Sequence, residues 1–227
     1  MDIKDIIHNY IQRPDPVIFD IGANNGSDTV DFAKRYPKGS IRAFEPDPRA
    51  YKKLAENTAN NFNVFRYDFV ISDTTGVITF NQSSGKNPFF KNDSEWDFSG
   101  SIKKPKDHLK IHPWCKFEKE IIVKTYKLDR FCKILDIDFI DLIWMDVQGA
   151  ELNVFKGAKR LLENNKIRLI YTEYSETELY EGAPSRKDIE NFLPNFKTIG
   201  IFDNNILLFN KDATHDPNYS AYLQGFC

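Results

Sequence analysis

The segment VIFDIGANNG, residues 17–26, contains an acid and two glycines directly after an apolar run. Asp20 is followed at short spacing by Gly22, Asn24 and Gly26. Glycine tolerates backbone angles that other residues avoid, and it lets a ligand approach the main chain closely. A helix that starts after such a turn offers N–H groups without helical partners. The pattern therefore predicts a nucleoside-binding turn between a strand and a helix.

A second acid, Glu45, lies 19 residues after Gly26 in the segment FEPDP. A carboxylate at the end of a second strand accepts hydrogen bonds from the hydroxyl groups of an adenosine ribose, and its charge repels a 2′-phosphate. The glycines lack the G-x-G-x-x-G spacing that places a pyrophosphate on the helix end. An NAD-dependent dehydrogenase is therefore disfavoured. S-adenosylmethionine, an adenosine that carries an amino acid and no phosphate, is the favoured cofactor.

Strands and helices alternate around these residues. Periodic patterns predict helices at 3–11, 27–36, 48–58, 127–135, 151–164 and 185–193, and strands at 17–21, 40–45, 63–71, 77–81, 120–126, 139–145, 167–174, 196–202 and 206–210. The alternation predicts an α/β fold with a mostly parallel, doubly wound sheet, and the last two strands form a closing antiparallel hairpin. Ligands bind such sheets outside the carboxyl ends of the strands.

Two further acids follow predicted parallel strands. Asp146 ends the fourth of these strands and Glu173 the fifth, so both are expected to face the cleft beside the cofactor. A carboxylate there can take the proton of an acceptor hydroxyl during methyl transfer. Asp146 is the first choice for this base or for orienting the acceptor, and Glu173 is the second. In the alternative interpretation, Asp146 caps the helix that starts near Ala150 and Glu173 anchors a loop.

The stretch 81–119 has no clear periodicity, and we interpret it as a long acceptor loop. Aromatic residues recur among its polar residues, at Phe89, Phe90, Trp96, Phe98 and Trp114. Aromatic faces between polar groups suit a carbohydrate; the alternative is a satellite core under the loop. His112, with His108 nearby, is a candidate to complete the base or bind substrate, although a single loop histidine is more often solvated.

The segment IDLIWMDVQGAELNVFKGA at 140–158 resembles the FkbM family of S-adenosylmethionine-dependent methyltransferases, as do FDIGANNG, FEPDP, SDTTG, YKLDRF and TEY. The resemblance covers about residues 17–210 and implies a seven-stranded, Rossmann-like class I methyltransferase fold. It implies three groups of cofactor contacts: Asp20, Gly22, Asn24, Gly26 and Ser27 around the methionine part, Glu45 with Pro46 at the ribose, and Asp68 with Phe69 at the adenine. The chain departs from the family at Trp144, usually lysine, and at Gln148, usually glutamate, which leaves the acceptor and any metal preference open.

The leading functional hypothesis is an O-methyltransferase that acts on a hydroxyl group of a sugar, in a glycan or a glycosylated metabolite. One alternative is a nucleic-acid methyltransferase, because lysines and aromatic residues alternate in the long loop, and another is a non-catalytic adenosine-binding module. The balance of 31 basic and 33 acidic residues gives no electrostatic reason to expect nucleic acid or membrane as partners. A divalent metal held by Asp146, Glu173 and a loop histidine is a second, less favoured option. A homo-oligomer is left open.

The 227 residues divide into an N-terminal helix and linker at 1–16, a methyltransferase domain at 17–210 and a tail at 211–227. Charges interrupt every apolar run of residues 1–16, which is untypical of a signal peptide or a spanning helix, so we expect a cytoplasmic protein. Cys115, Cys132 and Cys227 lack CxxC spacing and are expected to be reduced thiols.

Overall fold

A seven-stranded sheet forms the centre of the protein in the computed structural model, which describes residues 2–89 and 95–214. The strands are β1 (Val17–Ile21), β2 (Ser40–Phe44), β3 (Val64–Tyr67), β4 (Val70–Ile71), β5 (Gly76–Gly85), β6 (Cys115–Tyr126), β7 (Ile140–Met145), β8 (Ile167–Glu173), β9 (Lys197–Phe202) and β10 (Asn205–Phe209). The helices are α1 (Ile3–Ile11), α2 (Ser27–Arg35), α3 (Pro48–Asn57), α4 (His108–Ile111), α5 (Leu128–Ile134), α6 (Glu151–Gly157), α7 (Lys159–Glu163) and α8 (Arg186–Phe192). The order across the main sheet is β3-β2-β1-β7-β8-β10-β9.

The register of the parallel strands fixes the position of the site. Strands β3, β2, β1, β7 and β8 run parallel, and β10 pairs antiparallel with both β8 and β9, so the predicted sheet and its closing hairpin are confirmed. Ile21 pairs with Phe44 on one side and with Met145 on the other. The residues that follow these strand ends, Gly22, Glu45 and Asp146, therefore meet at one edge of the sheet.

Helices cover both faces of this sheet and bury its apolar side chains. On one face, Val154 and Phe155 of α6 and Leu128 of α5 pack against the sheet, and on the other Ile7 of α1 and Phe32 of α2 do so. Each of these five side chains is fully buried. Burial of such a side chain contributes roughly 1.5–3 kcal/mol, so the two layers hold the strand ends rigidly in register.

Helix α3 begins with a well-formed cap, as the sequence predicts. Asp47 accepts a hydrogen bond from the backbone N–H of Arg49 at 2.9 Å, and Pro48 occupies the first turn. The guanidinium of Arg49 pairs with the same carboxylate and also donates to the carbonyl oxygen of Ser83 in β5, at 2.8 Å. The start of α3 is thereby joined to the strand that leads into the long loop.

A second, three-stranded sheet lies between β3 and α5 in the chain, in the order β4-β6-β5. The single strand expected at 63–71 is wrong: β3 belongs to the main sheet and β4 to the small one, because the chain leaves the first sheet at 68–69. The stretch 81–119 is also more ordered than its sequence pattern indicates. Strand β5 continues to Gly85, which pairs with Cys115 at the start of β6, and the short helix α4 lies between them.

The helix predicted at 151–164 is instead two helices, α6 and α7, that meet at Ala158. Gly157 lies against the backbone of Ser72, where a β-carbon would come within 2.0 Å of the carbonyl oxygen, and this close approach accompanies the break.

Among the described residues, no helix combines the length and the apolar composition needed to cross a bilayer. Cys115 and Cys132 are buried free thiols, and Cys227 lies outside the described residues.

Candidate active site

The turn after β1 is built from backbone conformations that favour glycine and asparagine. Gly22, Asn24 and Gly26 have φ angles of 89°, 45° and 80°. A β-carbon at Gly22 would lie 1.8 Å from the carbonyl oxygen of Asp146, and one at Gly26 would lie 2.5 Å from a methyl group of Leu54. Gly22 therefore lets β1 and the end of β7 approach each other, while Gly26 lets α2 begin against α3.

Glu45 is a buried carboxylate whose two oxygens each accept one backbone N–H. Oε2 accepts from Asn24 at 2.9 Å and Oε1 from Asp47 at 2.7 Å. Burial raises the pKa of Glu45 to about 8, and the two hydrogen bonds offset only part of that effect. When Glu45 is ionised, each of its oxygens keeps one lone pair for a ligand hydroxyl, because a carboxylate oxygen has two.

A cavity lies directly outside these strand ends. Six of the residues predicted for the site line it: Gly22, Asn24, Glu45, Pro46, Phe69 and Asp146. Phe44, Val70, Ile71 and Phe80 add apolar walls, and Asp97, Phe98, Gly100 and Ile102 cover it from the long loop. The apolar walls suit a flat base, and the acids suit hydroxyl groups. The residues present thus fit an adenosine-containing cofactor.

Residues 97–102, which we call the covering segment, lie directly over this cavity and leave little free space in it. The free space is about 90 Å³, smaller than the roughly 300–1,000 Å³ of common ligand pockets. At one end of the segment, Lys53 of α3 pairs with the Asp97 carboxylate at 2.6 Å, and the side-chain amide of Asn24 donates to the Asp97 carbonyl oxygen at 3.0 Å. Further along, Ser101 exchanges two backbone hydrogen bonds with Asn81 of β5. The segment must draw back to admit a nucleoside.

Four predicted cofactor-binding residues do not line the cavity. Asp20 is buried and accepts a hydrogen bond from the Thr29 hydroxyl in α2, and burial raises the pKa of Asp20 to about 7. Gly26 packs against α3, and Ser27 is exposed at the start of α2. Asp68 is exposed between β3 and β4. Their direct contact with the cofactor stays a prediction.

Asp146 and Glu173 are joined by the side-chain amide of Gln148. Gln148 Nε2 lies 2.6 Å from Asp146 Oδ1 and 3.2 Å from Glu173 Oε2, so one amide group contacts both carboxylates. Asp146 is exposed and lines the cavity, and Glu173 is half-buried. The low-polarity surroundings raise the pKa of Asp146 and raise that of Glu173 to about 9, with the negative charge of Asp146 adding to the latter shift.

Gln148 is itself held by Tyr180, which the sequence pattern does not indicate, and by Ser101 of the long loop. The hydroxyl of Tyr180 lies 2.9 Å from Gln148 Oε1 and 2.8 Å from the carbonyl oxygen of Ser99, and its single proton can be donated to either. Ser101 donates to the backbone carbonyl of Gln148 at 2.8 Å. No periodicity marks Tyr180, because it lies in an irregular segment far from Gln148 in the chain.

Asp146 does not cap helix α6, so the alternative interpretation of this residue is not supported. The cap position is Ala150, and α6 has no side-chain cap. Glu151, in the first turn, is buried and accepts a hydrogen bond from the Gly149 N–H at 3.1 Å. Burial raises the pKa of Glu151 to about 7.

His112 lies at the end of α4, among aromatic rings rather than in the cavity wall. Its ring is 4.9 Å from that of His108 and 5.8 Å from that of Trp114. His108 packs against Tyr180, at 5.3 Å between centroids, and burial lowers the pKa of His108 to about 4. The structure therefore does not bring His112 together with Asp146 and Glu173.

The loop aromatics form a cluster at one side of the cavity. Trp96 packs against Phe98 and Trp114, with ring centroids 4.9 and 5.0 Å apart, and Phe98 both lines the cavity and remains 43 % exposed. Phe89 is 85 % exposed, and Phe90 lies outside the described residues. The cluster combines the two interpretations from sequence, since it is partly a satellite core and partly an accessible aromatic surface.

Trp144, the other departure from the family pattern, lies away from the cavity. Its ring stacks on Tyr171 at 4.1 Å and meets Phe32 edge-on, and Lys4 of α1 places its ammonium 5.6 Å from the ring centroid. This substitution therefore affects packing between α1, α2 and the sheet rather than the cavity wall.

The strand order, the glycine turn after β1, the acid after β2 and the carboxylate after β7 together define a Rossmann-like class I methyltransferase. The chain belongs to the FkbM methyltransferase family, because the model described as "Methyltransferase FkbM domain" matches residues 20–198. It is a methyltransferase that uses S-adenosylmethionine.

Three known proteins illustrate the relationship. The chain is 44% identical over 196 residues to the 2-O-methyltransferase NoeI of Sinorhizobium fredii, covering 86% of this chain and 78% of that protein. It is 24% identical over 149 residues to Methyltransferase 1 of Beauveria bassiana, covering 63% and 58%. A crystal structure of a candidate O-methyltransferase from Klebsiella pneumoniae shares the fold, with a TM-score of 0.51 and 12% identity over 92% of this chain and 81% of that one.

Proposed function

We propose that the protein transfers a methyl group from S-adenosylmethionine to a hydroxyl group of a sugar, within a glycan or a glycosylated metabolite. The observation that carries the proposal is the carboxylate of Asp146, which faces the cavity beside the glycine turn and has a raised pKa. A hydroxyl acceptor must lose its proton, and a base works best when its pKa approaches the working pH. Asp146 has the required position, and the upward shift of its pKa makes it a stronger base than an ordinary aspartate.

The bound cofactor supplies a methyl group that is already activated on a sulfonium centre. The chain must therefore mainly align the acceptor and exclude water, and orientation alone contributes roughly 7–11 kcal/mol to lowering a barrier. Glu45 and the backbone at Gly22 and Asn24 are suited to hold the nucleoside. The covering segment at 97–102 is suited to close the cavity against solvent.

The proton of the acceptor passes to Asp146 in this proposal. Gln148 donates a hydrogen bond to the Asp146 carboxylate, which fixes its orientation and favours its ionised form. Burial and the charge of Asp146 raise the pKa of Glu173 to about 9, which favours a proton on Glu173 and leaves Asp146 as the member of the pair that acts as the base. Tyr180 and Ser101 position Gln148 through its side chain and its backbone.

Two observations support a sugar hydroxyl as the acceptor. The relative NoeI is a 2-O-methyltransferase by name, which supports transfer to oxygen. The accessible face of Phe98, beside Trp96 at the cavity, suits the C–H patches of a sugar ring. The nearly equal numbers of acidic and basic residues argue against nucleic acid as the substrate.

We favour catalysis without a divalent metal. Gln148 Nε2 lies between the two carboxylates, in the position that a cation bound to both would need. In residues 2–89 and 95–214, no group of three or more suitable side chains is arranged to hold a metal ion. We also propose residues 17–210 as the catalytic domain and the cytoplasm as the location. Most of the tail predicted at 211–227 lies outside the described residues.

A transfer assay tests the proposal. The protein is incubated with cofactor labelled in the methyl group and with fractionated cell glycans and glycosylated metabolites. We expect label in a saccharide fraction, and a loss of about a hundredfold or more in the Asp146→Asn variant. Asp138→Asn, an exposed acid just before β7, is the matched control. Cofactor binding with no label transfer to any fraction would favour a non-catalytic binding module, and undiminished transfer by Asp146→Asn would remove Asp146 as the base.

A further inference from the structure

One carboxylate oxygen of Asp97 is buried in the wall of the cavity without a hydrogen-bond partner. Oδ2 pairs with the ammonium of Lys53 at 2.6 Å, whereas Oδ1 accepts no hydrogen bond although the side chain is only 2 % exposed. Asp97 is one of the residues that line the cavity. A buried carboxylate oxygen without a donor is costly, so its position indicates a ligand that brings one.

Asp97 lies on the same side of the cavity as Glu45, and Asn24 connects the two residues. The backbone N–H of Asn24 donates to Glu45 Oε2 at 2.9 Å, and its side-chain amide donates to the Asp97 carbonyl oxygen at 3.0 Å. The charge of Asp97 also acts on the carboxyl group of Glu45. Three separate segments, the turn after β1, the end of β2 and the long loop, therefore bring two acids to one place.

We propose that Asp97 binds the ribose of the cofactor together with Glu45, each carboxylate accepting a hydrogen bond from a ribose hydroxyl. This inference rests on the proposed function, because it takes the cavity as the cofactor site. The ammonium of Lys53 pairs with Oδ2 of Asp97 and leaves Oδ1 for the ribose hydroxyl. Asp97 thus couples the covering segment to the cofactor.

The ribose is a better partner for Asp97 than the amino-acid end of the cofactor. The fold places the ribose at the acid after β2, which is Glu45. Asp97 is connected to Glu45 through Asn24 and to α3 through Lys53, and both connections lie on that side of the sheet. A second acid beside the ribose also leaves the aromatic side of the cavity, at Phe98, for the acceptor.

Binding measurements on the full chain test the inference. Calorimetry compares S-adenosylhomocysteine with 5′-methylthioadenosine, which keeps the ribose and lacks the amino acid. In Asp97→Asn, both ligands should bind more weakly by a similar factor, on the order of tenfold or more. Glu95→Gln is the matched control: this carboxylate lies two residues earlier, is 61 % exposed and pairs with Arg49 at 3.4 Å. Its binding constants should equal those of the wild type.

Deoxy ligands make the test specific for the hydroxyl groups. Removing the 2′- or the 3′-hydroxyl of 5′-methylthioadenosine should weaken binding to the wild type, and for one of the two the loss should nearly vanish in Asp97→Asn. A loss confined to S-adenosylhomocysteine would assign Asp97 to the amino-acid end and overturn the inference, as would unchanged binding of both ligands. Failure of the wild type to bind either ligand would contradict the proposed function instead.

Circular dichroism and thermal unfolding establish that each variant is folded, and Asp97→Ser replaces the asparagine variant if the latter does not fold. A crystal structure of the wild type with 5′-methylthioadenosine is an independent test of the contact between Asp97 and the ribose. The inference stands if Asp97 Oδ1 lies within hydrogen-bonding distance of a ribose hydroxyl, and it is wrong if that oxygen contacts no part of the ribose.

Discussion

Gly22 lies directly against the carbonyl oxygen of Asp146, so the cofactor turn and the proposed base share one backbone contact. A β-carbon at Gly22 would come within 1.8 Å of that oxygen. The close approach places the residue that follows β1 beside the residue that follows β7, and it explains why a side chain is excluded at this position.

We expect Gly22→Ala to abolish cofactor binding or folding, because the turn and the end of β7 would have to separate. Gly182→Ala is the matched control, since Gly182 also has a positive φ, of 70°, but an added β-carbon would meet no atom within 4 Å. That control should lose only about 1–2 kcal/mol of stability from backbone strain. Thermal unfolding and calorimetry with S-adenosylhomocysteine distinguish the two variants, and equal behaviour would show that the contact with Asp146 is unimportant.

The pH dependence of the rate should report the hydrogen bond from Gln148 to Asp146. The base is active when ionised, so the rate rises with pH through the pKa of the carboxylate pair. Because the amide of Gln148 lowers the pKa of Asp146, Gln148→Leu should move the rising limb to higher pH by about one unit, the size expected for a lost hydrogen bond of roughly 1.5 kcal/mol.

Gln148→Glu provides the comparison for that profile. This substitution restores the residue usual in the family and adds a negative charge beside two carboxylates. The rising limb of its pH–rate profile should therefore lie at a pH at least as high as in Gln148→Leu. If the rising limb of the pH–rate profile is unshifted in both variants, the assignment of Asp146 as the base is wrong.

The stability of the protein should fall as the pH rises from about 5 to 9. The pKa of Glu45 is raised to about 8 in the folded chain, whereas an unfolded glutamate titrates near ~4.3. The folded state therefore binds more protons in this range, and the stabilisation present below the unfolded pKa is lost as the pH passes through the folded one. Asp20 and Glu151, each with a pKa raised to about 7, contribute in the same direction.

Glu45→Gln should flatten this dependence without removing it. Urea unfolding at pH 5, 7 and 9 measures the change, with Glu56→Gln, an exposed acid on α3, as the control. If the pH dependence of the Glu45 variant equals that of the wild type, the carboxyl group of Glu45 is not protonated preferentially in the folded state.

Removal of divalent metals should leave methyl transfer unchanged. The amide nitrogen of Gln148 contacts both Asp146 and Glu173, so these carboxylates already have a shared donor. Dialysis against a chelator, followed by metal analysis and the transfer assay, measures the effect. A loss of activity that added magnesium restores would revive the metal hypothesis.

The sequence allowed prediction of the residues at strand ends because the rule that locates them depends only on the order of strands and helices. Gly22, Glu45 and Asp146 were found in this way, and the paired register of β1, β2 and β7 brings them together. The helix and strand patterns also located the closing hairpin, β9 and β10.

Contacts between distant segments could not be predicted in the same way. Asp97 and Tyr180 lie in irregular stretches, and nothing in their local pattern indicates that one reaches Lys53 and the other Gln148. The continuous composition of residues 63–71 predicts a single strand, although its two halves pair with different sheets. Only its chemistry makes His112 a candidate, and its sequence pattern does not show that its ring packs against His108 and Trp114 rather than in the cavity wall.

The closed cavity has a consequence for the order of events in each turnover. The stretch from Asp97 to Ile102 lies over the space that the nucleoside needs, and it is fastened on one side by Lys53 and Asn24. It must swing open to let the donor in and again to let the spent nucleoside out. Movement of this segment is therefore a step that each turnover requires in addition to methyl transfer.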